Sequence, residues 1–132
     1  MANNQLSFKG EGGEYKIWWD EKNCIGRIFV SGEIQIEESL KITKESIKIA
    51  EQYGKKKGWL INAVKVTKPI FSLRLRKIMA EAIKVMSFGK VAVVCTSTVL
   101  RVTMSFVLVA VRKKNVKFFK TEEEALKWLK EE

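Results

Sequence analysis

Apolar residues along this chain fall into two periods. Short runs, alternating or continuous in apolar character, read as strands: Tyr15–Trp19, Cys24–Val30, Trp59–Val64, Val91–Val94 and Val116–Lys120. From the second run onward, longer stretches separate them, in which apolar positions recur every three or four residues as in amphipathic helices. Asp20-Glu21-Lys22-Asn23 has the chemistry of a hairpin turn between the first two runs. Side chains alternate along a strand, so Trp18 and Trp19 face opposite ways and one is expected in the core.

The helical stretches are read in the same way. After Ser31-Gly32-Glu33 comes a helix of about five turns. Its expected buried stripe is Ile36, Leu40, Ile47, Ala50 and Tyr53, with Glu37 and Glu38 in the first turn and Gly54 as the stop. Lys41, Lys44 and Lys48 lie on the solvated side. The central run Trp59–Val64 is apolar on both faces except at Asn62, as suits a strand covered on both sides. Pro69 in Thr67-Lys68-Pro69 suits the first turn of a second helix. That helix places Phe71, Leu75, Ile78, Met79, Ala82, Ile83 and Met86 on its core face and ends at Phe88-Gly89.

Thr96-Ser97-Thr98 supplies capping hydroxyls ahead of Val99–Lys113. The valines of that segment favour a strand, but its length and its place in the alternation favour a helix, and a helix is expected. Its polar face is Arg101, Ser105 and Arg112, so it is apolar nearly all round and needs cover. With Val102, Phe106, Val109 and Ala110 assigned to the core, Val99, Thr103, Val107 and Val111 form a second side. That side suits a homodimer contact or an apolar ligand, or else burial beneath the last helix. The last helix opens with Thr121 and Glu124 as a capping box and anchors through Ala125, Leu126, Trp128 and Leu129.

Composition narrows the chemistry. At 132 residues the chain makes one domain with a core of its own, and 46% apolar with 30% charged residues excludes a disordered class. Residues 1–13 are polar and glycine-containing and read as a flexible arm, leaving 14–132 as the folded unit. Histidine is absent and Asp20 is the sole aspartate, which removes histidine-based catalysis and histidine metal sites. No Glu lies in an apolar context. We expect no enzyme activity, no cofactor and no metal. Cys24 and Cys95 sit in apolar runs and read as buried, reduced thiols of a cytoplasmic protein. Val91–Val111 is apolar but is broken by Arg101 and by hydroxyl residues, which fits a strand and a helix better than a membrane span.

The net charge of +10 favours acidic partners in general. Its two dense clusters, Lys55–Lys57 and Arg112–Lys114, follow expected helices, where cations complement the carbonyl end of the dipole. No nucleic-acid motif accompanies them, and no specific nucleic-acid binding is expected. Open α/β sheets bind ligands beyond the carboxyl ends of their strands. Here that rim collects Thr67, Thr96, Ser97 and Thr98 as candidate anion contacts, with Arg74 or Arg101 as a possible donor fork. Helix capping alone also accounts for these hydroxyls.

The element order is β-β-α-β-α-β-α-β-α. With the ending Val116-Lys117-Phe118-Phe119-Lys120-Thr121-Glu122-Glu123-Glu124-Ala125-Leu126-Lys127-Trp128-Leu129, the chain resembles a stand-alone STAS domain of the SpoIIAA-like kind. The resemblance implies a single α/β domain, with a mixed, mostly parallel sheet, an N-terminal hairpin and about four helices. It also implies a non-catalytic regulatory module that binds a protein partner or itself. The other reading is a carrier or sensor of a small apolar or anionic ligand. In antagonist members a serine at the start of the helix after the central strand is phosphorylated by a partner kinase. Here the corresponding stretch is Lys68-Pro69-Ile70-Phe71-Ser72-Leu73-Arg74; Ser72 is the nearest hydroxyl, and the acidic neighbour and glycine of the family pattern are missing.

Overall fold

The apolar runs assemble into a six-stranded mixed sheet in the order β1-β2-β3-β4-β5-β6. A computed structural model describes residues 6–9, 12–68, 71–108 and 115–131. The elements are β1 (Leu6–Lys9), β2 (Glu14–Asp20), β3 (Ile25–Gly32), α1 (Ile36–Tyr53), β4 (Gly58–Val66), α2 (Leu73–Met86), β5 (Val91–Val94), α3 (Thr98–Val107), β6 (Val116–Phe119) and α4 (Glu122–Lys130). β1, β2 and β3 pair antiparallel, whereas β3 to β6 run parallel. Each parallel crossover is helical and moves one strand along the sheet. Right-handed connections of that kind put α1, α2 and α3 on one face.

Alternation along the strands then builds two cores. Tyr15, Ile17, Ile28, Val30, Trp59, Val91 and Val93 face α1, α2 and α3, meeting Ile42, Leu75, Ile83, Met86, Leu100 and Met104. Ile25, Leu60, Ala92 and Val94 face the other way, against Ala125, Leu126, Trp128 and Leu129 of α4. The two tryptophans of β2 divide accordingly. Trp19 is buried with its ring stacked on Tyr53, the centroids 4.2 Å apart. Trp18, half-buried on the α4 side, lies beneath the Arg27 guanidinium at 5.5 Å. Gly26 is in register with Trp59, and a Cβ there would lie 2.6 Å from the indole ring. Only a glycine lets that ring lie flat on β3.

Local chemistry sets the helix starts. Ser72, Ser97 and Thr121 each accept a backbone N–H from three residues on, which places the N-caps of α2, α3 and α4. α1 has no side-chain cap; the buried Tyr15 hydroxyl serves instead, accepting from the Gln35 N–H at 3.1 Å and donating to the Glu33 carbonyl at 2.7 Å. Burial pushes the Tyr15 phenol above its ordinary pKa.

Several expectations are corrected. The stretch read as a flexible arm contains β1, an edge strand paired to β2. α1 buries Glu38, Ser39, Ile42, Ser46 and Ala50, whereas Leu40 and Ile47 point to solvent at 48% and 38% exposure. Small side chains face inward because α1 packs closely beside α2, and Ser46 satisfies its hydroxyl on the Ile42 carbonyl at 2.7 Å. Glu38 is therefore a buried carboxylate, which its sequence context did not suggest. Cys95 is buried, but Cys24 is exposed, because it occupies the hairpin turn at φ 54° rather than the strand. α2 begins at Leu73 after its Ser72 cap, and Pro69 lies outside the described residues.

α3 is a helix as expected, yet its core face is not the one assigned. Leu100, Met104 and Val107 are buried, with Leu108 just beyond, while Val99, Val102 and Phe106 are 51%, 53% and 62% exposed. The Ser97 cap fixes the rotation that turns Leu100, Met104 and Val107 onto the core. Val107, assigned to an outer side, is core at 2% exposure, and Val109, Ala110 and Val111 lie outside the described residues.

Candidate functional site

Every parallel strand ends at one rim, and each of α1 to α4 begins there. Two clefts open along this rim among the described residues. The first, of about 340 Å³, is lined by Cys95, Thr96, Ser97, Thr98, Arg101, Phe118, Phe119, Lys120 and Glu124. It brings together three of the four hydroxyl residues singled out in the sequence, with Arg101 laid over the Phe118 ring at 5.6 Å. Thr96 and Thr98 are exposed, whereas the Ser97 oxygen is engaged by the Leu100 N–H at 3.1 Å. Burial pushes the Cys95 thiol up, partly offset by Arg101, so this thiol stays protonated at neutral pH. Chemically the cleft offers hydroxyls, one guanidinium and one ammonium, with the Glu124 carboxylate beside them. It holds no nucleophile–base pair.

The second cleft, of about 410 Å³, lies between the starts of α1 and α2 and is lined by Glu33, Ile34, Gln35, Ile36, Lys68, Ser72 and Leu75. Lys68 pairs with Glu33 at 3.3 Å in this cleft. The Ser72 oxygen accepts the Leu75 N–H at 3.1 Å, a helix-start role on an exposed residue. Thr67 lines neither cleft; its N–H donates to the Gly32 carbonyl, tying β4 to β3. Arg74 is exposed on α2 and does not line the first cleft. The structure thus does not gather the four hydroxyl residues at one anion site.

The outer face of α3 is the other candidate. Val99, Val102 and Phe106 follow at spacings of three and four residues and make one exposed apolar stripe. Thr103, half-buried beside it, returns its hydroxyl to the Val99 carbonyl at 2.9 Å.

A family profile described as SpoIIAA-like matches residues 25–130. The chain belongs to the SpoIIAA-like family. Its fold is similar to that in the crystal structure of an anti-sigma factor antagonist from Mycobacterium paratuberculosis, with a TM-score of 0.60. The two are 17% identical over 98% of this chain and 96% of that one, so the likeness concerns the fold alone. No curated protein matches.

In this SpoIIAA-like chain, sequence reading missed a polar network on the α4 side of the sheet. Arg27 donates to Asp20 at 3.2 Å and to Glu122 at 2.6 Å, and the Asn62 amide donates to the other Glu122 oxygen at 2.7 Å. Burial alone would raise the Asp20 carboxyl, but hydrogen bonds from Asn23 and Arg27 outweigh it and hold the group below the usual carboxylate range. Glu122 behaves likewise, its burial outweighed by Asn62 and Arg27. The signal was present: Arg27 and Asn62 each interrupt an otherwise apolar run at a position facing α4. This network fixes α4 to the sheet. Among the described residues no cluster of ligating side chains fits a metal ion, and no helix is long and apolar enough to cross a membrane.

Proposed function

We propose that this chain is a non-catalytic regulatory module that docks a protein partner, or a second copy of itself, on the outer face of α3. The observation that carries the reading is the stripe of Val99, Val102 and Phe106, each more than half exposed on a helix whose other side is core. Large side chains left in water along one stripe mark contact surfaces more often than idle ones. Family membership supports a module of this type, and the fold shared with an anti-sigma factor antagonist agrees with it. Two free cysteines suit a reducing, cytoplasmic setting.

The test uses light scattering and a pull-down from a soluble extract. Val102→Asp should leave the circular-dichroism spectrum intact and abolish self-association or partner capture. Val107→Asp, which puts a charge into the core, should unfold the domain. A Val102→Asp protein with unchanged size and unchanged partners would remove the α3 reading.

A second reading has its own observation. A largely apolar cavity of about 70 Å³ lies under α1, α2 and α3, lined by Ile28, Ile42, Ala63, Met79, Ile83 and Met104 among others. Apolar cavities of this kind stay dry and accept small apolar guests. Native mass spectrometry of freshly purified protein distinguishes the readings, since a carrier retains its ligand and a docking module does not.

A further inference from the structure

The end of the sheet opposite the rim is where α1, α2 and α4 finish and where β4, β5 and β6 begin. Its loops are in direct contact. A Cβ on Gly89 would lie 2.3 Å from the Lys56 carbonyl oxygen, and the Asn115 amide donates to the Ser87 carbonyl at 2.7 Å. Lys90 binds the end of α4 through the Trp128 and Glu131 carbonyls at 2.9 and 2.7 Å. The β2–β3 turn reaches the same end, because Asp20 pairs with Ile25 and Ile25 with Gly58.

Separate stretches of sequence therefore bring Lys22, Lys55, Lys56, Lys57, Lys127 and Lys130 to one end of the molecule, all exposed. None of them is held in an ion pair among the described residues. Among the described residues the exposed carboxylates at this end are Glu21, Glu51 and Glu131. Cations at helix ends answer the helix dipole, but the dipole does not account for Phe88. That ring is 57% exposed and lines a cleft with Lys56, Gly89 and Lys90.

An exposed aromatic ring among lysines is the composition of a surface that seats on anionic lipid, the ring entering the headgroup boundary and the ammonium groups meeting phosphates. Nucleic acid is the poorer fit. Single strands need successive stacking rings, and base or phosphate readers favour the planar fork of arginine. Here the exposed cations named above are lysines, and Phe88 is the exposed ring in the cleft among them.

We propose that the end of the sheet carrying Phe88 and the Lys55–Lys57 loop is a docking surface for an anionic membrane. It does not rest on the partner reading, which concerns the α3 stripe centred on Val102. The test is co-sedimentation of the full chain with vesicles of phosphatidylcholine, with and without roughly one-third phosphatidylserine. Binding is expected only to the anionic vesicles. Lys55→Gln/Lys56→Gln/Lys57→Gln should weaken it about 100-fold. Phe88→Ser should weaken it about tenfold, with an unchanged circular-dichroism spectrum. Lys65→Gln/Lys68→Gln/Lys120→Gln, the same charge change at the opposite rim, should have little effect. Equal loss in the two triple variants would reduce the effect to net charge and overturn the proposal. So would equal binding to neutral vesicles, or an oligonucleotide that displaces the protein from anionic vesicles at matched phosphate. Val102→Asp, which tests the α3 stripe, should leave vesicle binding unchanged.

Discussion

Replacing Arg27 with Met keeps an unbranched stem against Trp18 but removes the guanidinium that joins Asp20 and Glu122. The wild-type contacts are 3.2 Å to Asp20 and 2.6 Å to Glu122, with side-chain exposures of 14% for Arg27, 11% for Asp20 and 41% for Glu122. Removing one member of a fully buried ionic group costs about 3–5 kcal/mol, because the remaining charges are left unpaired. The Glu122 contact is partly open to water, and an exposed pair is worth only about 0–1 kcal/mol, so its share is discounted. Asp20 retains Asn23, which donates through its backbone at 3.2 Å and its amide at 2.8 Å. The net loss at neutral pH should be about 2–3 kcal/mol. With a urea slope of about 1–3 kcal/mol per molar, the midpoint should fall by roughly 1–2 M.

The pH dependence sharpens this prediction. Asp20 and Glu122 have folded pKa values below their unfolded ones. Their contribution is therefore present above the unfolded carboxylate range and is lost as pH falls through the folded values. The gap between wild type and Arg27→Met should be full near neutrality and close in acid. Urea melts followed by tryptophan fluorescence across that range measure it. A difference below about 0.5 kcal/mol at neutral pH, within the range of an ordinary surface change, would refute the network as the tie between α4 and the sheet. A difference that stays constant into acid would do the same.

Two further outcomes follow from single contacts. Tyr15→Phe removes the hydroxyl that bridges the Glu33 carbonyl and the Gln35 N–H, and should cost about 1–3 kcal/mol with slackened amide-exchange protection confined to the start of α1. Gly26→Ala drives a methyl into the Trp59 ring and should cost about 1–3 kcal/mol, with altered tryptophan emission; a neutral effect would mean that β3 and Trp59 move apart freely.

The order of elements was legible in the sequence because it depends on local terms. The Thr121–Glu124 box, the Ser97 hydroxyl and the apolar run Val91–Val94 act within a few residues of one another and stand where they were read, and the hairpin turn lies one residue further on, at Glu21–Cys24. The choice of face was not local. α1 offers Leu40 and Ile47 as plausible core positions, yet close packing beside α2 prefers Ser39, Ser46 and Ala50. α3 is apolar on more than one side, so periodicity admitted two rotations, and only packing over β5 and β6 chose Leu100 and Met104 over Val102 and Phe106. The polar network and the lysine-rich end are assembled from segments far apart in the chain: Arg27 meets Glu122, and Lys22, Lys57 and Lys130 share one end. Local spacing carries no record of such meetings, because they are set by the order and register of strands, which form only when the sheet closes.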